Sequence, residues 1–179
     1  MNGGTSPNYF DIFGLPVEFE IDSQLLAEQY RKLQQTVHPD RYANASERDR
    51  RMSVQQAADV NEASHTLKSP LKRARYLLQI KGVAFDDEKE TTVDPEFLLE
   101  QMELREALAE VNSSADAFAE LNAIMQDIVK RITHMLDDYN DCIKIGELQK
   151  AKTIVQKLQF LEKLKIESEI LEEELANAI

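Results

Sequence analysis

The chain has no tryptophan and a single cysteine, Cys142. One cysteine excludes an intrachain disulfide and any cysteine-cluster metal site, and it suits a reducing compartment. Glycine and proline are scarce, five of each in 179 residues, so turn-rich β architectures have little to build with. No apolar run approaches the length that spans a membrane. Positive charge is also in short supply. The formal net charge is −12, and a nucleic-acid partner would demand the opposite sign. Met1 to Asn8 carries neither basic residues nor an apolar stretch, so it reads as neither a signal nor a transit peptide, and a cytoplasmic location is expected.

What remains is charged and periodic. Residues 1–80 hold 10 Lys+Arg and 10 Asp+Glu, whereas residues 81–179 hold 11 and 23. All the excess negative charge therefore lies in the second half, which suggests two modules with different partners. Apolar residues recur at three–four spacing through most of the chain, so an all-α protein is expected.

In the first half, Tyr9-Phe10-Asp11-Ile12-Phe13 predicts a short helix stopped by Gly14-Leu15-Pro16. Asp22 is an N-cap for a second helix running to about Thr36, with Leu26, Tyr30, Leu33 and Val37 on one buried stripe. Pro39 ends it, since it donates no amide and restricts His38. Ser46 and Asp49 resemble a capping box opening a third helix, with Ala57, Val60, Asn61, Ser64 and Leu67 inward. Small Ala57 and Ser64 permit close approach in an antiparallel hairpin. Ser69-Pro70 opens a fourth helix that ends near Lys81-Gly82.

The second half is read as a bundle. Asp94-Pro95 marks a helix start after a polar stretch, residues 83–93. Phe97, Leu104, Leu108 and Val111 share one side of it. Phe118, Leu121, Met125, Ile128, Ile132, Met135 and Tyr139 form the seam of the next helix, and a turn is expected around Asn140–Gly146. Val155, Leu158, Leu161, Leu171 and Leu175 are the expected core of the last. Two features fall off these seams. Leu99, Glu103, Glu106 and Glu110 form a mostly acidic stripe beside Leu98 and Met102, and Phe160 stands among Gln156, Lys157 and Lys163. Apolar anchors rimmed by charge suit a partner-binding patch, though the same side chains could simply pack on one another.

His38-Pro39-Asp40, read alone, is also compatible with a turn in which Asp40 caps and Pro39 stops a helix. Its setting says more. Asn8 to Pro16, the His-Pro-Asp turn between two amphipathic helices, and Asn61-Glu62-Ala63 to Leu67 resemble a J-domain. Tyr9-Phe-Asp-Ile-Phe-Gly-Leu-Pro16, His38-Pro-Asp-Arg-Tyr42, Ser69-Pro-Leu-Lys-Arg-Ala-Arg-Tyr-Leu-Leu78, Phe97-Leu-Leu-Glu-Gln-Met-Glu-Leu-Arg-Glu106 and Lys157-Leu-Gln-Phe-Leu-Glu-Lys-Leu164 are similar to the HscB family of iron–sulfur-cluster co-chaperones.

That resemblance implies an L-shaped pair of domains: a J-domain over 8–82, a linker over 83–93 and a scaffold-binding three-helix bundle over 94–179. It implies that His38, Pro39 and Asp40 stimulate the ATPase of a DnaK-like HscA chaperone, with Arg31, Lys32 and Arg41 as the electrostatic contacts. Gln34 and Gln35 dilute the basic patch usual there, which suits a dedicated partner. It further implies that Leu98, Leu99, Met102, Glu103, Glu106, Glu110 and Phe160 bind an IscU-type scaffold; Leu99 and Met102 are substitutions of similar size and polarity. No catalytic residue, metal or cofactor of the chain's own is expected: His38 and Asp40 flank an exposed proline, and His65 and His134 stand alone in helices. A J-domain co-chaperone serving a different or general unfolded client is the alternative, and a purely structural helical adaptor leaves the His-Pro-Asp turn without a role.

Overall fold

The computed structural model describes residues 7–38, 42, 45–86 and 94–177. Among these residues there are seven α-helices and no strand, which is the expected all-α class. The chain divides into two compact units, one up to Leu77 and the other from Leu78.

In the first unit, α1 (Tyr9–Phe13) is held at both ends. The Asn8 side chain accepts from the amides of Phe10 and Asp11 while Asp11 accepts from the Asn8 amide, and Gly14 turns left-handed at φ 63°. Helix α2 (Ser23–Val37) starts on Asp22 and α3 (Glu47–Lys68) on Ser46, as the caps predict. Helix α4 (Pro70–Ile80) follows Ser69, whose Oγ accepts from the Lys72 amide at 3.3 Å. Phe10, Phe13, Leu26, Val60, Ala63, Leu67, Ala74 and Leu77 make the core. Each large member contributes about 1.5–3 kcal/mol by leaving water.

Three polar or aromatic ties fix the rest of this unit. Tyr9 stacks on Tyr76 with ring centroids 4.3 Å apart, and the Tyr76 hydroxyl accepts from the Tyr9 amide. Arg73 donates to the carbonyls of Phe19 (2.8 Å) and Leu67 while lying over the Phe19 ring. One guanidinium thus satisfies the loop before α2 and the end of α3 together. The inward stripe of α3 differs in part from expectation. Ser64 is buried and Ala57 half-buried, but Asn61 is exposed and Ser53 and Ala63 take inner places. Asn61 is drawn to the rim because its amide has polar partners there on α2.

In the second unit, α5 (Pro95–Glu110) is capped by Asp94, a 3₁₀ turn follows at Val111–Ser113, and α6 (Ala117–Ile145) is capped by Asp116. Helix α7 (Leu148–Asn177) returns alongside α6. Phe97, Leu108, Val111, Leu121, Ile128, Ile132, Tyr139, Val155, Leu158, Leu161 and Leu164 are buried between them. Several expected core residues are less covered. Phe118 is exposed, and Met125, Met135, Leu171 and Leu175 are half-buried, because they lie toward the edge of the seam. Helix α6 also runs past the turn expected from Asn140 and stops only at Gly146. There φ is 79°, and the glycine amide meets the last carbonyls. Of the expected linker, residues 83–86 are described: Val83 is buried with its amide on the Leu78 carbonyl, and Lys152 lies over the Phe85 ring.

Candidate functional site

Two surfaces carry the candidate residues, one in each unit. The first is the C-terminal end of α2. Val37 is buried and anchors the last turn, after which His38 leaves the helix in an extended conformation (φ −60°, ψ 126°) and stands exposed. His38, Gln35, Gln34 and Arg31 line an open groove of about 410 Å³. Arg31 is therefore beside His38, as expected. Lys32 is exposed but is not among the groove's lining residues; it is one residue on, about 100° around the helix. Pro39, Asp40 and Arg41 lie outside the described residues.

What holds this end of α2 in place was not evident in the sequence. The Tyr30 hydroxyl donates to Asn61 Oδ1 at 3.0 Å, and the Gln34 amide donates both to that hydroxyl and to Asn61 Oδ1. Lys68 sits over the Tyr30 ring. Gln34, read in the sequence as diluting a basic patch, is thus a tie between α2 and α3.

The second surface is one side of α5. Leu98, Leu99 and Met102 are 40%, 58% and 68% exposed, and Glu103, Glu106 and Glu110 are exposed beside them. Leu99, Met102, Glu103, Glu106 and Glu110 fall on the side of the helix opposite Phe97 and Leu108, with Leu98 at its edge about 90° from them, so the stripe read from spacing is a surface. Phe160 is not stranded. It is half-buried and packs edge-on against Phe97, with centroids 5.8 Å apart and planes at 84°. Arg105 lies over its outer face at 5.4 Å and reaches Glu167 at 3.9 Å. Arg105 was not a candidate by sequence. It lies seven residues after Leu98, about 20° away around the helix, so it separates the leucine–methionine edge from Phe160. The i, i+7 relation was the available signal.

Behind this surface, Asp94 caps α5 and is ion-paired with Lys157 of α7, which also lies over Phe97. The hydrogen bond from Lys157, and after it the Phe97 amide, hold the Asp94 carboxyl below the usual carboxylate range. A depressed folded value means that its stabilisation is present above the unfolded value and is lost as pH falls through the folded one. Acidification from pH 5 to 3 is therefore expected to lower the melting temperature of the wild-type chain more than that of Asp94→Asn. That variant keeps a capping oxygen but has no charge to lose. Parallel thermal melts followed by circular dichroism check this.

Among the described residues no group of three His, Cys, Asp or Glu side chains is placed to hold a metal ion. Burial pushes the Cys142 thiol up, away from the thiolate that a nucleophile needs. His65 and His134 are exposed, the latter 3.7 Å from Asp138 on its own helix. No helix among the described residues is long and apolar enough to cross a membrane.

Comparison with known proteins accounts for both units. A DnaJ domain model matches residues 8–76, and a model described as the HSCB C-terminal oligomerisation domain matches residues 93–169. The chain is 47% identical to the co-chaperone protein HscB homolog of Vibrio cholerae over 168 residues, 94% of this chain and 98% of that protein. With the homolog of Photobacterium profundum the identity is 42% over 166 residues, 93% of this chain and 97% of the relative. Among solved structures, chaperone HscB from Vibrio cholerae superposes with a TM-score of 0.87 at 46% identity, covering 94% of this chain and 99% of that one. Human co-chaperone HscB gives 0.88 at 26% identity, covering 95% and 84%. A J-domain joined to this C-terminal domain, with near-complete coverage of relatives more than 40% identical, makes the chain a member of the HscB co-chaperone family.

Proposed function

We propose that this co-chaperone matures iron–sulfur proteins by bringing an IscU-type scaffold to a DnaK-like HscA chaperone and stimulating that chaperone's ATPase. The observation that carries the client half is the exposed Leu98, Leu99 and Met102 edge on α5, rimmed by Glu103, Glu106 and Glu110. Three large apolar side chains left in water on a helix that has a separate core face are what a partner surface supplies. The acidic rim selects a basic partner face and steers its approach. Phe160 extends the apolar edge once Arg105 moves aside.

The chaperone half rests on His38, exposed at the anchored end of α2, followed by Pro39 and Asp40. Arg31 beside it, with Lys32 and Arg41, supplies positive charge to an acidic partner surface. The chain contributes no catalytic group to ATP hydrolysis. Its His-Pro-Asp turn accelerates hydrolysis by binding one conformation of the partner better than another. With one site for each partner on a single chain, the scaffold is held near the chaperone at an effective concentration in the millimolar range or below, set by the span between sites. The proposed place of action is the cytoplasm, where ATP and a reduced scaffold coexist, and the cluster travels on the client.

The test is steady-state ATP hydrolysis by an HscA-type chaperone, with this protein and an IscU-type scaffold added separately and together. Stimulation that is greater for the pair than for the sum of the two is the expected result. Stimulation unaffected by scaffold would assign the C-terminal domain to a different client.

A further inference from the structure

Charge in the first unit is polarised along the sequence. Residues 1–30 hold five acids and no Lys or Arg, whereas residues 31–51 hold six Lys or Arg against three acids. Half of those six stand in the first turns of α3, as Arg48, Arg50 and Arg51, and all three are exposed. The fold gains little from them there. The start of a helix is the positive end of its dipole, which disfavours cations, and Glu47 and Asp49 already supply the acids it favours. Arg51 is offset by Glu47, 3.1 Å away and one turn back.

The ties to α2 show which way this stretch of α3 faces. Gln34 meets Asn61, while the ring of Tyr30, one turn earlier on α2, lies under Lys68, seven residues later on α3. The two helices therefore run antiparallel, and Asn61 marks the side of α3 that looks at α2. Val54 and Arg50, seven and eleven residues before Asn61, are each about 20° from it around the axis. They lie about 10 and 16 Å further along α3, in the direction in which α2 ends, whereas Val37 closes α2 about 5 Å beyond Gln34. This part of α3 thus outruns α2 at the end that carries His38. Val54 is 56% exposed there, and Glu47, Arg50, Arg51, Val54 and Gln55 line an open groove of about 300 Å³.

We propose that Arg50 and Arg51, set about Val54, are a docking surface for an acidic face of the chaperone, continuing on α3 the contact made by His38 and Arg31 on α2. This rests on the chaperone reading given above. Gln34 and Gln35 leave α2 short of charge near its end, and α3 restores it from across the hairpin. An aliphatic side chain beside two guanidinium groups suits the edge of an interface, where charge steers the encounter and the apolar group is covered on contact. Such charges set how readily the partners associate. They do not choose the partner conformation, which is the part of the His-Pro-Asp turn.

Steady-state ATP hydrolysis by an HscA-type chaperone, titrated with the full chain at about 0.05 and 0.3 M salt, tests this. Arg50→Gln/Arg51→Gln is expected to raise the half-maximal co-chaperone concentration about tenfold at the lower salt and to leave the maximal rate unchanged. The wild-type value climbs with salt, and that of the glutamine pair hardly moves. Arg50→Lys/Arg51→Lys keeps both charges and restores docking to within about threefold. A melting temperature equal to or above that of the wild type is expected for the glutamine pair, because two cations leave the positive end of α3. A glutamine pair that docks like the wild type, a lowered maximal rate at unchanged half-maximal concentration, or a lysine pair without rescue would each overturn the surface. Absence of stimulation by the wild-type chain would instead remove the chaperone reading, and the surface with it.

Discussion

His38→Gln abolishes stimulation of an HscA-type ATPase, returning hydrolysis to the basal rate, and leaves scaffold binding unchanged. The separation is expected because His38 and the exposed α5 edge lie in different units. His38 lies outside the last helical turn and exposes its ring, while the neighbouring Val37 does the packing. Exchanging an exposed imidazole for an amide therefore costs the fold little, within the roughly ±0.5 kcal/mol typical of surface changes. The functional effect is far larger. A loss of at least tenfold corresponds to about 1.4 kcal/mol of discrimination between partner states. Turnover assays with and without scaffold, beside a direct binding measurement to scaffold, read both properties. Retained stimulation would remove the His-Pro-Asp turn from the mechanism.

Leu98→Ser/Met102→Ser weakens scaffold binding by about 10²–10³-fold, near 3–4 kcal/mol, with J-domain stimulation in the absence of scaffold intact. The estimate follows from two apolar anchors that lose their burial in a complex. This pair is a cleaner probe than any set including Phe160. Leu98 and Met102 are 40% and 68% exposed in the free chain, so serine there removes little native packing. Phe160 rests on Phe97 and under Arg105, and its truncation would disturb the bundle as well as the surface. Calorimetric titration with an IscU-type scaffold gives the affinity, and a thermal melt confirms the fold. An unchanged dissociation constant would remove the α5 edge from the binding site.

The elements that the sequence made legible are those fixed by local chemistry. Asp22, Ser46, Ser69 and Asp94 each accept from a nearby helix amide, a bond between residues two or three positions apart that needs no knowledge of the fold. The outward stripe of α5 was legible for the same reason, because helical spacing decides which residues share a face. What spacing left undecided is what stands opposite. Asn61 falls on the inner arc of α3 by periodicity, yet it sits at the rim because Tyr30 and Gln34 on α2 hold it there. Phe160 reads as stranded beside lysines until Phe97, more than sixty positions earlier, supplies its partner. The end of α6 was misplaced because Asn140 and Asp141, poor helix formers, are carried within a helix that buries Tyr139 completely.

The two-residue link between α6 and α7, Gly146-Glu147, has a kinetic consequence. Helices of 29 and 30 residues joined so tightly can pair from the turn outward, beginning with contacts close in sequence, and such hairpins close early in folding. Helix α5 is held differently. Its tie through Asp94 to Lys157 joins residues 63 positions apart, so it forms most readily once the α6–α7 hairpin has already placed Lys157. The helix bearing the leucine–methionine edge is thus the last to join the bundle and the first the bundle can release. Engagement of a client along α5 would then act as a clasp, suppressing the local opening through which this unit begins to unfold.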